Sequence, residues 1–179
     1  MRNPNPMLQF DSLRRLMAEN AERLRLLASG LSAEQARWKP DPASWSALEV
    51  VNNLYDEERE DFRVRLDILL HRQADVWPPI DPQGWVTARR YNERDLAESL
   101  GNFLAERRKS LEWLEGLDAL RAPDWEAAIT NPFGTMRAGD MFTAWVAHDM
   151  LHLRQLAELL YLYHRETVKP YEVEYAGEW

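Results

Sequence analysis

The chain has no cysteine among its 179 residues. This absence excludes disulfide bonds, thiolate metal ligands and a catalytic cysteine, because each of them needs a sulfur atom that the protein lacks. Glycine is also scarce, with seven residues, and none of them belongs to a glycine-rich loop that binds phosphate. A chain without cysteine fits a reducing compartment, and we expect the protein to be cytoplasmic.

Long apolar runs and basic runs are missing as well. No stretch approaches the ~18 consecutive apolar residues of a membrane-spanning helix, and residues 1–10 lack the apolar segment of a signal peptide. The formal net charge is −8, and the basic clusters at residues 89–90 and 107–109 have acidic neighbours. Because phosphate neutralisation supplies much of the affinity for nucleic acids and anionic membranes, we expect the protein to bind neither.

Four long segments have the apolar periodicity of amphipathic helices, and proline and glycine separate them. The predicted helices span residues 6–29, 46–71, 92–117 and 138–165, with a short capped helical turn at residues 32–35. Residues 74–91 are rich in proline and tryptophan and are too many for a tight turn between neighbouring antiparallel helices. We therefore expect them to cross over one end of the helices.

The fold class follows from the four predicted amphipathic helices. Helices that each have one apolar stripe bury the stripes together by packing as a bundle, and 179 residues are enough for one domain with its own core. No strand-like alternation of useful length is present except in the tail, residues 168–175, which we interpret as an extended strap. The sequence therefore predicts a single all-α domain, a four-helix bundle with a long irregular crossover between helices two and three.

Two histidines, His148 and His152, lie one turn apart on the inward face of the last predicted helix. Imidazoles at positions i and i+4 are close enough to share one divalent metal. The alternative is that both are core residues whose nitrogens are satisfied by a buried acid, a tyrosine or a backbone carbonyl. A metal site needs a third protein ligand, and the second long helix offers Asn53 and, one turn later, Glu57. Glu57 is the better ligand of the two, because the amide oxygen of Asn53 is neutral and hard.

Arg107 lies on the apolar stripe of the third long helix. A guanidinium that points into a bundle must find a carboxylate, which belongs either to a ligand or to the protein. We therefore consider Arg107 as a residue that binds an anionic part of a substrate and, as the alternative, as the partner of a buried acid such as Glu58 or Asp149. Trp145 is likewise either a substrate-binding residue or a core residue.

Three blocks of the sequence resemble motifs of the DinB-like (DinB/YfiT) superfamily of four-helix bundles. Residues 45–58, WSALEVVNNLYDEE, resemble the family's W-S-x-x-E-V-x-x-H-L-x-D-x-E. Residues 103–114 are similar to F-x-x-x-R-x-x-x-L-x-x-L, with Arg107 as the arginine, and residues 148–156 are similar to H-D-x-x-H-x-x-Q-[IL]. The order and spacing of the blocks extend the resemblance over nearly the whole chain.

Members of this family typically hold a divalent metal, such as nickel or zinc, with one histidine from the second helix and two from the fourth. The resemblance implies that His148 and His152 are two of the ligands, and it places Asn53 at the position of the third. An asparagine departs from the family pattern. It predicts a weakened site, a site completed by Glu57, or no site.

Two hypotheses from different functional classes follow. In the first, the protein is a metal-dependent enzyme similar to the family's thiol transferases, which use the metal to lower the pKa of a small thiol such as bacillithiol or mycothiol. In the second, it is a metal-free bundle that binds a small molecule or acts as a dimeric stress-associated protein. The resemblance also implies that the protein forms a homodimer.

Overall fold

The chain forms a four-helix bundle in the computed structural model, which confirms the predicted all-α fold. The structure describes residues 6–120, 123–131 and 134–177, and the side chains in these ranges except those of residues 6–9, 118–120 and 131. The first bundle helix, α1, spans Pro6–Ala28 and is followed by the short helix α2 (Ala33–Arg37). No helix in these ranges is long and apolar enough to cross a membrane.

The second bundle helix is interrupted by a π-helical turn. It consists of α3 (Ala47–Glu57), the π-helical segment Glu58–Phe62 and α4 (Arg63–His71). Hydrogen bonds in a π-helix span five residues in place of four, so the segment changes which later side chains face the bundle. The apolar periodicity of the sequence predicted the outer limits of this helix but not its interruption.

A complete capping box begins α3. Ser46 Oγ accepts a hydrogen bond from the Glu49 N–H at 3.2 Å, and the Glu49 carboxylate accepts one from the Ser46 N–H at 2.8 Å. Ser46 Oγ also donates to Asn92 Oδ1 at 2.7 Å. The same serine therefore satisfies the first turn of α3 and ties it to the crossover.

The crossover to the third bundle helix is long, as predicted, but it is not irregular throughout. It contains α5 (Pro82–Ala88), which Asp81 caps, and a 3-10 turn at Tyr91–Glu93; the third bundle helix, α6, then spans Leu96–Leu120. Proline suits the first position of a helix, because its missing N–H has no partner there in any case. Asp81 and Pro82 thus form a helix start that outweighs the breaker composition of the segment.

A β-hairpin precedes the fourth bundle helix, so the expectation of no strand outside the tail is wrong. Strand β1 (Ala128–Asn131) pairs antiparallel with β2 (Gly134–Arg137), with Ala128 opposite Arg137. A strand of four residues is too short for its two-residue alternation to stand out in the sequence.

The fourth bundle helix, α7, spans Ala138–Thr167, and the tail that follows it is not an extended strap. The N–H of Tyr171 donates to the carbonyl of Val168, and that of Ala176 donates to the carbonyl of Val173. These local bonds form turns. No strand in the described part of the chain pairs with this exposed tail, and its backbone makes local hydrogen bonds in place of those of an extended conformation.

Two apolar clusters fill the bundle, and a polar layer separates them. One cluster is built from α1, α3, α6 and α7, and the other from α1, α4, α6 and α7. Helix α1 packs against α6 and α7, and α3 packs against the same two helices. The polar layer comprises the buried residues Asn20, Glu57, Glu58, Asp61, Glu106, Arg107, Ser110, Asp149 and His152.

We expect Ser46→Ala to lower the free energy of unfolding by about 1 to 2 kcal/mol, because it removes the cap of α3 and the bond to Asn92. Urea unfolding monitored by circular dichroism measures the change. Ser32→Ala is the matched control, since Ser32 caps the five-residue helix α2 by accepting from the Gln35 N–H. An equal loss in both variants would contradict a special role for the α3 cap.

Candidate functional site

A cavity of about 830 Å³ opens beside the polar layer, between α7, the second half of α3 and the loop that precedes α3. Helix α7 lines it with His148, His152 and Gln155, and α3 lines it with Asn53 and Glu57. The loop that precedes α3 contributes Trp45 to the same cavity. The structure therefore brings together the four residues that the sequence proposed as metal ligands.

Glu57, His148 and His152 form a continuous chain of contacts. Glu57 Oε2 lies 2.7 Å from His148 Nε2, and the two Nε2 atoms of His148 and His152 are 3.0 Å apart. The i, i+4 spacing on α7 stacks the two imidazoles edge to face, with ring centroids 4.4 Å apart. Helical spacing on α7 and the packing of α3 against it thus create this cluster.

Gln155 sets the protonation of His152. His152 Nδ1 lies 2.9 Å from Gln155 Oε1, an oxygen that can only accept, so Nδ1 carries the proton and Nε2 has a free lone pair. Burial, together with the neighbouring His148, lowers the pKa of His152 to about 4. The Trp45 indole stacks on the other side of the His152 ring, at 6.3 Å between centroids. His152 is therefore a neutral, oriented imidazole.

One proton serves two acceptors at the centre of the cluster. Since His152 Nε2 and the Glu57 carboxylate both accept, the N–H on His148 Nε2 must face both of them. Burial opposes ionisation of Glu57, but the hydrogen bond and charge of His148 outweigh it and lower the pKa of Glu57. The cluster thus has several lone pairs, on Glu57 and on His152 Nε2, and one N–H, on His148 Nε2, that faces them.

Asn53 lies next to this cluster with half of its amide unsatisfied. Its Nδ2 donates weakly to Glu57 Oε1 at 3.4 Å, which orients the amide so that Oδ1 faces away from the carboxylate. Oδ1 is buried and has no hydrogen-bond partner in the part of the chain that the structure describes. A buried acceptor without a partner costs about 1 to 3 kcal/mol, so this oxygen favours a cation or a donor beside it.

Asp61 is a further buried acid, one turn beyond Glu57. Burial raises its pKa to about 6, and the negative charge of Glu57 adds to the effect, while Arg65 opposes it. Arg65 Nε lies 2.8 Å from Asp61 Oδ1, but neither atom has the alignment of a hydrogen bond. Asp61 therefore adds a second acid beneath the cluster, although it does not line the cavity.

Arg107 is part of a buried ion network and not of the cavity. Its Nε and Nη2 donate to both oxygens of Glu58 at 2.7 and 2.8 Å, and its two Nη atoms donate to both oxygens of Asp149 at 2.7 Å. Nη1 also donates to the Met17 carbonyl at 3.1 Å. All five N–H groups are thus used within the protein, and the side chain is 2% exposed. The predicted role in substrate binding gives way to the alternative, a pairing with Glu58 and Asp149.

Trp145 belongs to the same interior. It is fully buried, its indole Nε1 donates to Glu58 Oε2 at 2.9 Å, and its ring stacks on Phe62. It does not line the cavity, so the structure gives it a core position and not the substrate-binding position proposed from the sequence.

Sequence reasoning missed the parts played by Trp45, Gln155 and Asp61. Gln155 is three residues after His152, a spacing that places both on one helix face, and this was the available signal. Trp45 comes directly before the capping serine of α3 and so lies at the mouth of the bundle. For Asp61 there was no signal, because the π-helical turn shifts the face on which it lies.

The donor set matches the chemistry of a divalent metal, although the side chains contact one another directly. Two imidazoles and a carboxylate are ligands that zinc accepts, and tetrahedral coordination holds neighbouring ligand atoms about 3.3 Å apart. The Nε2–Nε2 and Oε2–Nε2 distances of 3.0 and 2.7 Å are shorter than this and are those of hydrogen bonds. Within the described ranges, however, no group of three histidine, aspartate or glutamate side chains is arranged to hold an ion. The residue types therefore suit a divalent metal, but in this structure the side chains form hydrogen bonds with one another.

We expect histidine NMR of the metal-free protein to show the Nδ1–H tautomer at His152 and protonation only near pH 4. The unfolded chain protonates this imidazole near pH 6.5, so the stability that neutral His152 contributes is complete above pH 6.5 and lost as the pH falls towards 4. Gln155→Leu should abolish the single tautomer. Exposed His164 serves as the internal control, and a titration of His152 near pH 6.5 would contradict the assignment.

Comparison with known proteins agrees with this fold. The solved structure of YfiT from Bacillus subtilis, described as a probable metal-dependent hydrolase with an unusual four-helix bundle topology, superposes with a TM-score of 0.74. The match covers 89% of this chain and 90% of that chain at 17% sequence identity, which shows a shared fold. No curated protein sequence matches the chain. The family model of the DinB superfamily matches residues 16–156, and the chain therefore belongs to the DinB superfamily.

Proposed function

We propose that this protein is a divalent-metal-dependent enzyme that acts on a small molecule in the cavity beside α7. The observation that carries the proposal is the meeting of three potential metal-ligand atoms, Glu57 Oε2, His148 Nε2 and His152 Nε2, at contact distance. Asn53 lines the same cavity, and its buried Oδ1 has no hydrogen-bond partner among the residues that the structure describes. YfiT, whose fold this chain shares, is described as a probable metal-dependent hydrolase.

The protonation of the cluster supports this proposal. Gln155 leaves His152 Nε2 with a lone pair, and the pKa of Glu57 is lowered, so that its carboxylate is ionised near neutral pH. Only the single proton on His148 Nε2 lies between these acceptors. When that proton leaves Nε2, either to solvent from the imidazolium or to Nδ1 of the same ring in the neutral form, two imidazoles and one carboxylate remain. In this set Glu57 supplies the third ligand in place of Asn53.

The residues around the cluster would bind and orient the substrate. A volume of about 830 Å³ suits a molecule of drug-like size. Trp45 offers an aromatic wall, and Gln155 holds the His152 ring in place. A divalent ion there would act as a Lewis acid and lower the pKa of a nucleophile, which is water in a hydrolase and a small thiol in a thiol transferase. Because the chain has no cysteine, any thiol must come from the substrate.

A metal-free bundle that binds a small molecule is the second candidate. It is favoured by the hydrogen bonds that join Glu57, His148, His152 and Gln155, which satisfy most of their polar atoms without an ion. The lack of a ligand-like arrangement among the described side chains also favours it. The two candidates differ in one measurable property, the metal content.

We expect tag-free protein, purified without chelator, to contain near-stoichiometric zinc or nickel by inductively coupled plasma mass spectrometry, or to take it up on incubation. The His148→Ala, His152→Ala double variant and Glu57→Gln should lose it, since each removes ligands. His71→Ala is the control, because His71 is exposed at the end of α4 and pairs with Asp67. No uptake by the wild-type protein would sink the metalloenzyme proposal and leave the metal-free bundle.

A metal-loaded protein can then be assigned a reaction. Hydrolysis of p-nitrophenyl acetate is compared with conjugation of bacillithiol to monochlorobimane, each before and after chelation. A rate that falls on chelation and in Glu57→Gln identifies the nucleophile as water or thiol. If neither rate depends on the metal, the ion is not catalytic towards these two classes.

We further expect Asn53→His to strengthen zinc binding by about tenfold or more. The substitution restores the histidine of the family pattern at a position that already lines the cavity, one turn before Glu57. Competition with a chromophoric chelator measures the zinc dissociation constant. Asn53→Leu is the control for loss of the amide. In the Asn53→His background, Glu57→Gln should weaken binding less than it does in the wild-type background, and an unchanged effect would contradict the idea that Glu57 compensates for Asn53.

A further inference from the structure

The buried network around Arg107 joins all four helices of the bundle at the height of the metal-ligand candidates. The guanidinium projects from α6 and donates to Glu58 at the start of the π-helical turn, to Asp149 on α7 and to the carbonyl of Met17 on α1. Each carboxylate accepts two bonds from Arg107, and this bidentate geometry restricts the relative placement of the helices.

The two acids of this network are chain neighbours of the two contacting site residues. Glu58 directly follows Glu57, and Asp149 directly follows His148. The network therefore fixes the backbone next to each side chain of the Glu57–His148 pair, whose atoms meet at 2.7 Å. A rotation or slide of α3 against α7 would separate that pair and would have to break the bonds to Arg107 first.

Glu57 is anchored on its other side as well. Asp56 accepts a hydrogen bond from the Tyr91 hydroxyl at 2.5 Å and pairs with Arg89 at 2.6 Å and with Arg59 at 2.8 Å. Glu57 thus lies between two buried, fully paired acids and is the one of the three that faces the cavity. The direction of the Glu57 side chain is therefore set by the contacts of Asp56 and Glu58 as well as by its own.

Stability alone is a weak reason for such a network. Replacement of buried ion pairs by uncharged groups of similar shape is often neutral or stabilising, because burial of charge costs most of the Coulombic gain. The same two opposing effects act on Arg107. Burial favours loss of its proton, but the two carboxylates outweigh burial and raise the pKa of Arg107 above its usual value. A network that fixes the relative positions of the helices is expected next to the site, which is where this network lies.

We propose that Arg107, with Glu58 and Asp149, is the positioning device that holds Glu57 against His148, and so sets metal affinity without touching the ion or substrate. The inference rests on the proposed metal site. Arg107→Lys tests it, because lysine keeps the charge and loses the planar fork that binds two carboxylates at once. Zinc affinity should fall about tenfold, as it does when residues that orient metal ligands are lost.

A second variant guards against misfolding of the first. Arg107→Met, Glu58→Gln and Asp149→Asn together remove the three charges with little change in shape, and the amide oxygen introduced at position 58 can still accept from Trp145. The control is Arg63→Met with Glu106→Gln, an ion pair between α4 and α6 that touches none of the cavity residues. We expect the charge-free triple variant to unfold at a temperature within a few degrees of the wild type and to bind zinc about tenfold more weakly. The control should keep wild-type zinc affinity whatever its stability.

Histidine NMR separates failure of this inference from failure of the metal site. If the wild type takes up no zinc, the proposed function fails, and the test becomes the Glu57–His148 hydrogen bond in metal-free protein, observed at His148 Nε2, which Arg107→Lys should disturb and the control should not. Wild-type zinc affinity in both Arg107 variants, or an undisturbed Glu57–His148 hydrogen bond in them, would reduce the network to a structural ion cluster and overturn the proposal.

Discussion

The bundle depends on one buried guanidinium that must satisfy two carboxylates at once. Arg107 is in contact with all four helices, and its five N–H groups are used by Glu58, Asp149 and the Met17 carbonyl. A buried charge left without its partner costs several kcal/mol, so the network forms completely or not at all. The apolar clusters on either side supply the burial free energy, and the network selects the relative positions of the helices.

The π-helical turn follows from the same constraint. Asp56, Glu57 and Glu58 are consecutive, yet they face the crossover, the cavity and the bundle interior respectively. In the next turn the interior must be filled by Phe62, which stacks on Trp145 and lies against His148. The wider turn at Glu58–Phe62 allows Glu58 to reach Arg107 while Phe62 still faces α7. The π-helical turn interrupts the regular hydrogen bonding of the helix. It thus lies where consecutive side chains have to point in three different directions.

The sequence predicted the long helices and the location of the site, because both depend on helical spacing. The apolar stripes predicted the bundle. The i, i+4 spacings of His148 with His152 and of Asn53 with Glu57 predicted which side chains lie together at the site. For Arg107 and Trp145 the sequence left two roles open each, a ligand-binding role and an interior role, and did not decide between them. Periodicity shows that a side chain points inward, but the number of bonds it makes depends on which residues of other helices lie opposite. The hairpin, the tail and the π-helical turn involve about four to ten residues each, too few for a period to be recognised.

Asparagine at position 53, where the family pattern has histidine, has an electrostatic consequence for the proposed metal site. A carboxylate from Glu57 as third ligand brings one negative charge that a third imidazole does not, so the net positive charge at the site is smaller. The pKa of a nucleophile there falls less as that charge decreases. The lowered pKa of Glu57 shows that its carboxylate keeps this charge at neutral pH, and Oδ1 of Asn53 adds only a neutral oxygen. For the proposed metal enzyme, this weaker activation suits either a substrate that needs less activation or one whose own nucleophile is already acidic, as a thiol is relative to water.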